Sequence, residues 1–386
     1  MCRRAACTTV LLCCLRWKLR YRLPTLTRTR NPIRSYIPPN RYMPTDKINL
    51  VTGATGQLGS HVVEQLRLAG ETVRVLVRPG SDRAFLQSQG VEFIEGDLRD
   101  PAAVGRAIKD AAIVYHCAAK VSDWGPWHEF EEEAVTGTRN VLAACMLAKV
   151  QRLLHVSSIS VYGHPKLPAG ARINEETPLG QGFWLWDYYP RAKLMSEQIS
   201  REYAATTVVR PSWLYGPRDR VTMPRVIPAL LSKRVPIIGS GENYLNIMYA
   251  ADVARGAILA ANHPNAVGQV YNVCSEGEVK QVDLLNALTD AMSLPRITKH
   301  APYGLAIRWA FLQECWKHLI FSKKPPTITR RAVYLIGRST QYSTEKARTQ
   351  LGWKPQIDIR EGIRRTLEWF VSLPENKHIA INTPVL

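Results

Sequence analysis

Cysteine is scarce in this chain. It supplies 8 of 386 residues, and half of those fall within the first 42 positions. The others, Cys117, Cys145, Cys274 and Cys315, show no C-x-x-C or other metal-ligand spacing. A disulfide scaffold is thereby excluded and no metal is expected. The cysteines read as small buried hydrophobes in a reducing, cytoplasmic compartment. Long apolar runs are lacking too: the stretch 5–15 is too short to cross a bilayer. There is no internal repeat and no low-complexity segment. Acidic residues are missing altogether from 1–42, where ten Arg and Lys stand.

What is present describes a folded chain with an unusual N-terminus. The residues are 46% hydrophobic, enough to bury a core, which excludes disorder throughout. A net charge of +19 would ordinarily suggest nucleic acid or an anionic membrane as partner. Ten of those charges belong to the acid-free segment, leaving +9 on the other 344 residues, so no nucleic-acid partner is expected. We set 1–46 apart as a basic extension. It reads as a targeting arm without a clear cleavage site, or as an upstream extension ahead of the second methionine, Met43.

From Lys47 a new rhythm begins. Short β-like runs at 48–52, 72–77, 91–94, 113–117, 153–157 and 207–210 alternate with helical stretches at 60–69, 82–89, 101–109, 129–148 and 191–204. Such alternation predicts an α/β fold: a Rossmann-type doubly wound parallel sheet, covered on both faces. After about Tyr215 prolines and loops separate shorter elements, with helices at 283–292 and 362–372. The expected organisation is a nucleotide-binding domain over 47–215, a smaller C-terminal substrate-binding lobe over 216–375 partly interleaved with the sheet, and a tail over 376–386. Within the lobe, 303–321 is rich in apolar and aromatic residues and precedes Lys323 and Lys324. It reads as a lid helix, a membrane-surface helix or an ordinary core-facing helix.

Thr52-Gly53-Ala54-Thr55-Gly56-Gln57-Leu58-Gly59 joins the first strand to the first helix. Gly53 makes the tight turn, Gly56 lets the backbone approach a pyrophosphate, and Gly59 lets helix and strand pack closely. The pyrophosphate would sit on free N–H groups at the helix N-terminus. The second strand ends in Val77-Arg78, where NAD-binding proteins usually carry Asp or Glu for the ribose hydroxyl. Arg78 suits a 2′-phosphate instead, with Ser81 or Arg83 assisting. NADP(H) is therefore expected ahead of NAD(H), and Asp82 is the residue that would reverse that. Asp97 and Leu98 end the third strand, where a carboxylate can accept from an adenine amino group.

Tyr189 and Lys193 stand four apart at the start of a helix and share a face. A phenol with its reference pKa of about 10 is a weak base near neutrality, and a neighbouring ammonium favours the phenolate. Tyr189 would then exchange a proton with an alcohol or a carbonyl. Ser158, or its neighbour Ser157, follows the fifth strand and would hydrogen-bond the substrate oxygen.

Taken in this order, the motifs resemble those of the extended short-chain dehydrogenase/reductases, from Ile48 to about Phe370. The resemblance takes in His116-Cys117-Ala118-Ala119, Arg210-Pro211-Ser212-Trp213-Leu214-Tyr215-Gly216-Pro217, Asp252-Val253-Ala254 and Leu351-Gly352-Trp353-Lys354-Pro355. Trp124-Gly125-Pro126-Trp127 and the run from Pro325 to Tyr342 are similar to the 3β-hydroxysteroid dehydrogenase branch. The resemblance implies cofactor contacts from Thr52, Gly53, Thr55, Gly56, Gln57, Leu58 and Gly59, with Ala118 beside them. It also implies catalysis by Ser158 and Tyr189, Lys193 on the cofactor ribose, and a homodimer through the helices at 129–148 and 191–204. Ala134 stands where the family often has Asn.

The implied activity interconverts a secondary alcohol and a ketone on an apolar molecule, of 3β-hydroxysteroid or β-hydroxy/β-keto acyl type. The alternatives are a sugar-nucleotide epimerase or dehydratase, and a dihydroflavonol reductase-like carbonyl reductase, which Leu76-Val77-Arg78 resembles. Arg218, Arg220 and Arg225 are candidates for the second diphosphate that a sugar nucleotide brings, or for a solvated basic surface. Trp124, Trp127, Trp184 and Trp186 read as the aromatic rim of an apolar substrate site, or as packing between the lobes.

Overall fold

The computed structural model describes residues 47–379 and 381, apart from 167 and 169. The basic extension, with its targeting-arm reading, lies outside the described residues, as does the end of the expected tail.

Seven parallel strands make the central sheet. They are β1 (Ile48–Thr52), β2 (Thr72–Val77), β3 (Glu92–Glu95), β4 (Ala111–His116), β5 (Arg152–Val156), β6 (Thr206–Pro211) and Val270–Val273. Their spatial order is Val270–Val273, β6, β5, β4, β1, β2, β3. Every neighbouring pair is parallel. The order reverses between β1 and β4, which opens a crevice at their carboxyl ends. Helices cover both faces, so β5 and β6 are buried at every position, around Leu153-Leu154 and Val208-Val209.

The chain after Gly216 contributes to two cores. Helix Ala250–Asn262 and strand Val270–Val273 pack back on the sheet around Val253, Ala257, Tyr271 and Trp353. The buried Trp353 indole donates to the Asp252 carbonyl (2.8 Å), and the Asp252 carboxylate accepts from the Gln356 and Ile357 N–H groups. A second core forms around Tyr215, Ile227, Leu245, Leu288, Ile363 and Phe370.

The long helix expected at 129–148 is three joined pieces: Trp127–Phe130, a wide π turn at Glu131–Thr136, and Gly137–Leu147. The helix expected at 191–204 runs instead over Tyr188–Ser200. Pro190 falls in its first turn, where its missing N–H costs nothing.

β6 carries one charged residue. Arg210 is buried because Glu197, on helix Tyr188–Ser200, meets it with both carboxylate oxygens, at 2.5 and 3.0 Å. Its remaining donors include one to the Tyr162 hydroxyl, 2.7 Å away. Removing one member strands a buried charge. Arg210→Met should cost about 3–5 kcal/mol in denaturant unfolding, and the double variant E197M R210M should recover part of that loss.

Candidate functional site

A cleft of about 610 Å³ opens at the carboxyl ends of the central strands. It gathers every residue expected to serve cofactor or catalysis: the turn Thr52, Gly53, Thr55, Gly56, Gln57, Leu58 and Gly59, then Arg78, Asp97, Leu98, Ala118, Ser158, Tyr189 and Lys193.

The turn leaves no room for side chains. Gly53 has φ +67°, and a Cβ there would lie 2.7 Å from the Ala118 backbone. A Cβ on Gly59 would lie 2.2 Å from the Gly53 carbonyl oxygen. Gly56 precedes helix α1 (Gln57–Leu68), whose N-terminus has no side-chain cap and no acid in its first turn. An uncapped helix start beside bare backbone fits a pyrophosphate.

A buried polar chain holds the turn from behind. The Thr138 hydroxyl donates to the Ala134 carbonyl (2.6 Å) and so accepts from His116 Nε2 (3.0 Å). That leaves His116 Nδ1 to accept from the Thr52 hydroxyl (2.8 Å). Burial pushes the His116 imidazole down to about 3, so it serves as a neutral spacer.

At the far end of the turn, the Arg78 side chain is 64% exposed, with Glu133 of the π turn 3.6 Å away. Asp82 pairs with Arg220 (2.6 Å) and accepts from the Ala84 N–H. Arg83 is paired with Glu95. Asp97 is held by Arg99 at 2.9 and 3.1 Å, which lowers its pKa. Arg218 pairs with Glu64 and lies over the Phe85 ring. Two of the three arginines considered for a second diphosphate are thus matched by carboxylates.

Tyr189, Lys193 and Glu197 follow one another at four-residue steps on a single helix face. Lys193 Nζ donates to the Val156 carbonyl (2.7 Å), and burial pushes its ammonium down to about 8. Burial raises the Tyr189 phenol, opposed by the charge of Arg331 and a hydrogen bond with Ser158. Ser157 donates to Glu197 Oε2 (2.6 Å), and its hydroxyl is committed there. Ser158 is therefore the hydroxyl paired with the phenol.

Two features differ from the sequence-based expectation. Arg331 is a cation beside the Tyr189 phenol that the sequence did not suggest, its guanidinium carbon 5.0 Å from the ring centroid. No spacing rule links it to Tyr189, because helix Arg330–Gly337 reaches the site from far along the chain. The four tryptophans also do not line this cleft. Trp184 stacks on His164 (4.1 Å), Trp186 stacks on His318 (4.0 Å), and Trp127 packs on Tyr188. Trp124 donates its indole N–H to the Ser322 carbonyl, 3.0 Å away. Trp184 also meets Tyr334 edge-on, so Trp124, Trp184 and Trp186 reach C-terminal elements, while Trp127 packs among N-terminal ones. Trp213, Leu214, Val226, Tyr334 and Leu335 supply the apolar lining of the cleft instead.

The model of the NAD dependent epimerase/dehydratase family matches residues 49–274, and the chain belongs to that family. It is 32% identical over 325 residues to 2-alkyl-3-oxoalkanoate reductase of Stenotrophomonas maltophilia (strain K279a), covering 82% of this chain and 97% of that protein. It is 29% identical over 345 residues to the decarboxylating sterol-4-alpha-carboxylate 3-dehydrogenase of Mus musculus, covering 85% and 92%. The solved structure of MoeE5 in complex with UDP-glucuronic acid and NAD superposes with a TM-score of 0.64 at 25% identity, covering 84% and 99%. The chain is an oxidoreductase of the extended short-chain type, acting on CH–OH and ketone groups. Among the described residues, no cluster of His, Cys, Asp and Glu could hold a metal ion.

The buried lysine sets a pH limb. In the role expected of Lys193, ketone reduction needs the ammonium, which burial pushes down to about 8. The kcat/KM for reduction should be level below that pH and fall above it by about tenfold per unit. Lys193→Arg, which stays charged, should remove the limb from a pH–rate profile even if the rate is lower.

Proposed function

We propose that this oxidoreductase interconverts a secondary alcohol and a ketone on an apolar substrate and uses NADP(H) in preference to NAD(H). The observation that carries this is the gathering of Ser158, Tyr189 and Lys193 in the same cleft as the glycine turn and next to an apolar lining. The nicotinamide, when bound, gives or takes the hydride. In reduction, the Tyr189 hydroxyl passes its proton to the carbonyl oxygen while Ser158 donates a hydrogen bond to it. Oxidation reverses both steps. Lys193 holds its charge beneath them, braced by the Val156 carbonyl. Arg78, exposed beside Ser81, would hold the 2′-phosphate, while Asp82 is tied to Arg220. A sugar-nucleotide reading fits less well, since Arg218 and Arg220 are already paired with acids.

Two further proposals concern surfaces. Helix Tyr303–Leu319 and the turn after it expose Leu305, Trp309, Leu312, Trp316, Leu319 and Phe321, the last 92% accessible. Arg308, Lys317, Lys323 and Lys324 flank this stripe, and the one acid on the helix, Glu314, is buried against Arg330. An apolar stripe edged by cations suits the interface of an anionic membrane. No helix among the described residues is long and apolar enough to cross one. A homodimer through the helices Gly137–Leu147 and Tyr188–Ser200 is the expected assembly, with Met146 and Leu147 exposed at the end of the first.

Tyr189→Phe should abolish turnover while leaving NADPH binding measurable by fluorescence titration. The native chain should favour NADPH over NADH by about tenfold or more in kcat/KM, and Arg78→Leu should erase that preference. A native preference for NADH would refute the assignment of Arg78. Vesicles of phosphatidylcholine with phosphatidylglycerol should carry the protein in flotation more than phosphatidylcholine alone. The double change W309E W316E should release it. Equal flotation of native and changed chains would remove the membrane proposal.

A further inference from the structure

We infer that Arg220 is a second cation for the 2′-phosphate of NADP(H), held on Asp82 until that phosphate draws it away. This rests on the NADP(H) reading above and adds to it a specificity residue from the C-terminal half of the chain.

Arg78 has little help from its own neighbourhood. Arg78 and Ser81 close a tight turn after β2, in which the Ser81 N–H donates to the Arg78 carbonyl (3.2 Å). Arg83 is spent: it pairs with Glu95 and donates to the same carbonyl (3.4 Å). Ser81 lines the cleft but brings no charge. Glu133, 3.6 Å from Arg78, weakens the pull of that guanidinium on an anion. A further cation comes from the C-terminal half. Arg220 lines the same cleft, and its Nη2 donates to Asp82 Oδ2 (2.6 Å). Asp82 directly follows Ser81, so the Arg220 guanidinium stands beside the turn that carries Arg78.

The segment that carries Arg220 is fixed, while its ion pair is exchangeable. Gln57, the first residue of α1, donates to the Gly216 carbonyl (3.2 Å). Arg218 is fastened to α1 through Ser60 (2.8 Å) and Glu64 (2.5 Å). The Asp219 carboxylate accepts from the Val221 and Thr222 N–H groups, at 2.8 Å each. Arg220 is therefore presented by backbone tied down on both sides. Its pair with Asp82 joins side chains that are 54% and 57% exposed, and water screens such a pair. Asp82 keeps a second partner when Arg220 leaves, since its Oδ1 accepts from the Ala84 N–H (3.1 Å). A phosphate offers a guanidinium two oxygens at once and more charge than a carboxylate, so the exchange favours the phosphate. NAD(H) has a hydroxyl there and leaves the pair in place. Because Asp82 belongs to the turn after β2, the anion within reach is one on the adenosine ribose, not one carried by the substrate at Tyr189.

The test is a pair of dissociation constants, for NADPH and NADH, from nicotinamide fluorescence on the full chain. Arg220→Gln should weaken NADPH roughly 5- to 20-fold and move NADH by less than about twofold, which also shows that the variant is folded. Asp82→Asn releases Arg220 and removes a negative charge facing the phosphate. It should tighten NADPH by about threefold, and most of that gain should be missing in the double variant D82N R220Q. If Arg220 is only a strap across the cleft, Arg220→Gln and Asp82→Asn weaken both cofactors alike, which overturns the inference. Unchanged NADPH binding in Arg220→Gln also overturns it, and leaves the NADP(H) reading intact where the native chain prefers NADPH. A native chain that binds NADH more tightly overturns that reading and the role of Arg220 together. Should Arg220→Gln not fold, Asp82→Asn decides: tighter NADPH supports the exchange, and unchanged or weaker NADPH overturns it.

Discussion

The carboxylate of Glu197 is the point on which the geometry of the candidate site depends. It is buried, and it accepts from Arg210 on β6 and from Ser157 just beyond β5. Arg210 in turn donates to Tyr162, whose hydroxyl donates to Asn272 on the outermost strand. One ion pair therefore ties the helix that carries Tyr189 and Lys193 to three neighbouring strands. Its net contribution to stability is small, since both charges lose their hydration. Its contribution to position is larger. A bidentate pair holds the helix in rotation and in height. By occupying Ser157 it also leaves Ser158 as the hydroxyl that meets the phenol.

Burial acts on three titrating groups around this frame with opposite results. It raises the proton affinity of Tyr189, because the phenolate is the charged form. It lowers that of Lys193 and His116, because their protonated forms are charged. Near neutrality the site therefore holds a protonated phenol, a charged lysine and a neutral imidazole. This is the set that the proposed proton delivery to a carbonyl requires. The neutral His116 matters for the other half of the cleft, where it links Thr52 to Thr138 and keeps the glycine turn against the wide turn of the following helix.

The sheet was legible in the sequence because strands covered on both faces keep an apolar centre, as Leu50-Val51, Val75-Leu76-Val77, Ile113-Val114-Tyr115, Leu153-Leu154 and Val208-Val209 do. The glycine turn and the Tyr189–Lys193 pair were legible because backbone crowding and helix periodicity demand fixed spacings. Helix ends were less so: Tyr188–Ser200 starts three residues early, since a proline in a first turn does not announce which side the helix begins on. The π turn at 131–136 left no apolar signature. The tryptophans stayed open between two readings because a large aromatic suits an apolar ligand and a seam between elements equally well. Arg331 was invisible for a different reason. Its place beside Tyr189 arises from tertiary packing between segments that share no period or motif.

Arg330 and Arg331 show how one short helix can serve two ends. Arg330 fastens it to helix Tyr303–Leu319 through Glu314, and to the segment before Tyr188 through the Leu185 carbonyl. It also lies over the rings of Trp184, Trp186 and Phe311, so the seam is closed by charge, hydrogen bonds and aromatic faces together. That anchorage gives Arg331 a defined position over Tyr189. It also gives helix Tyr303–Leu319 a firm inner edge, which frees its outer stripe of Leu305, Trp309, Leu312 and Trp316 from any role in the core. The same seam thus separates an apolar outer surface from an apolar cleft that holds a cation.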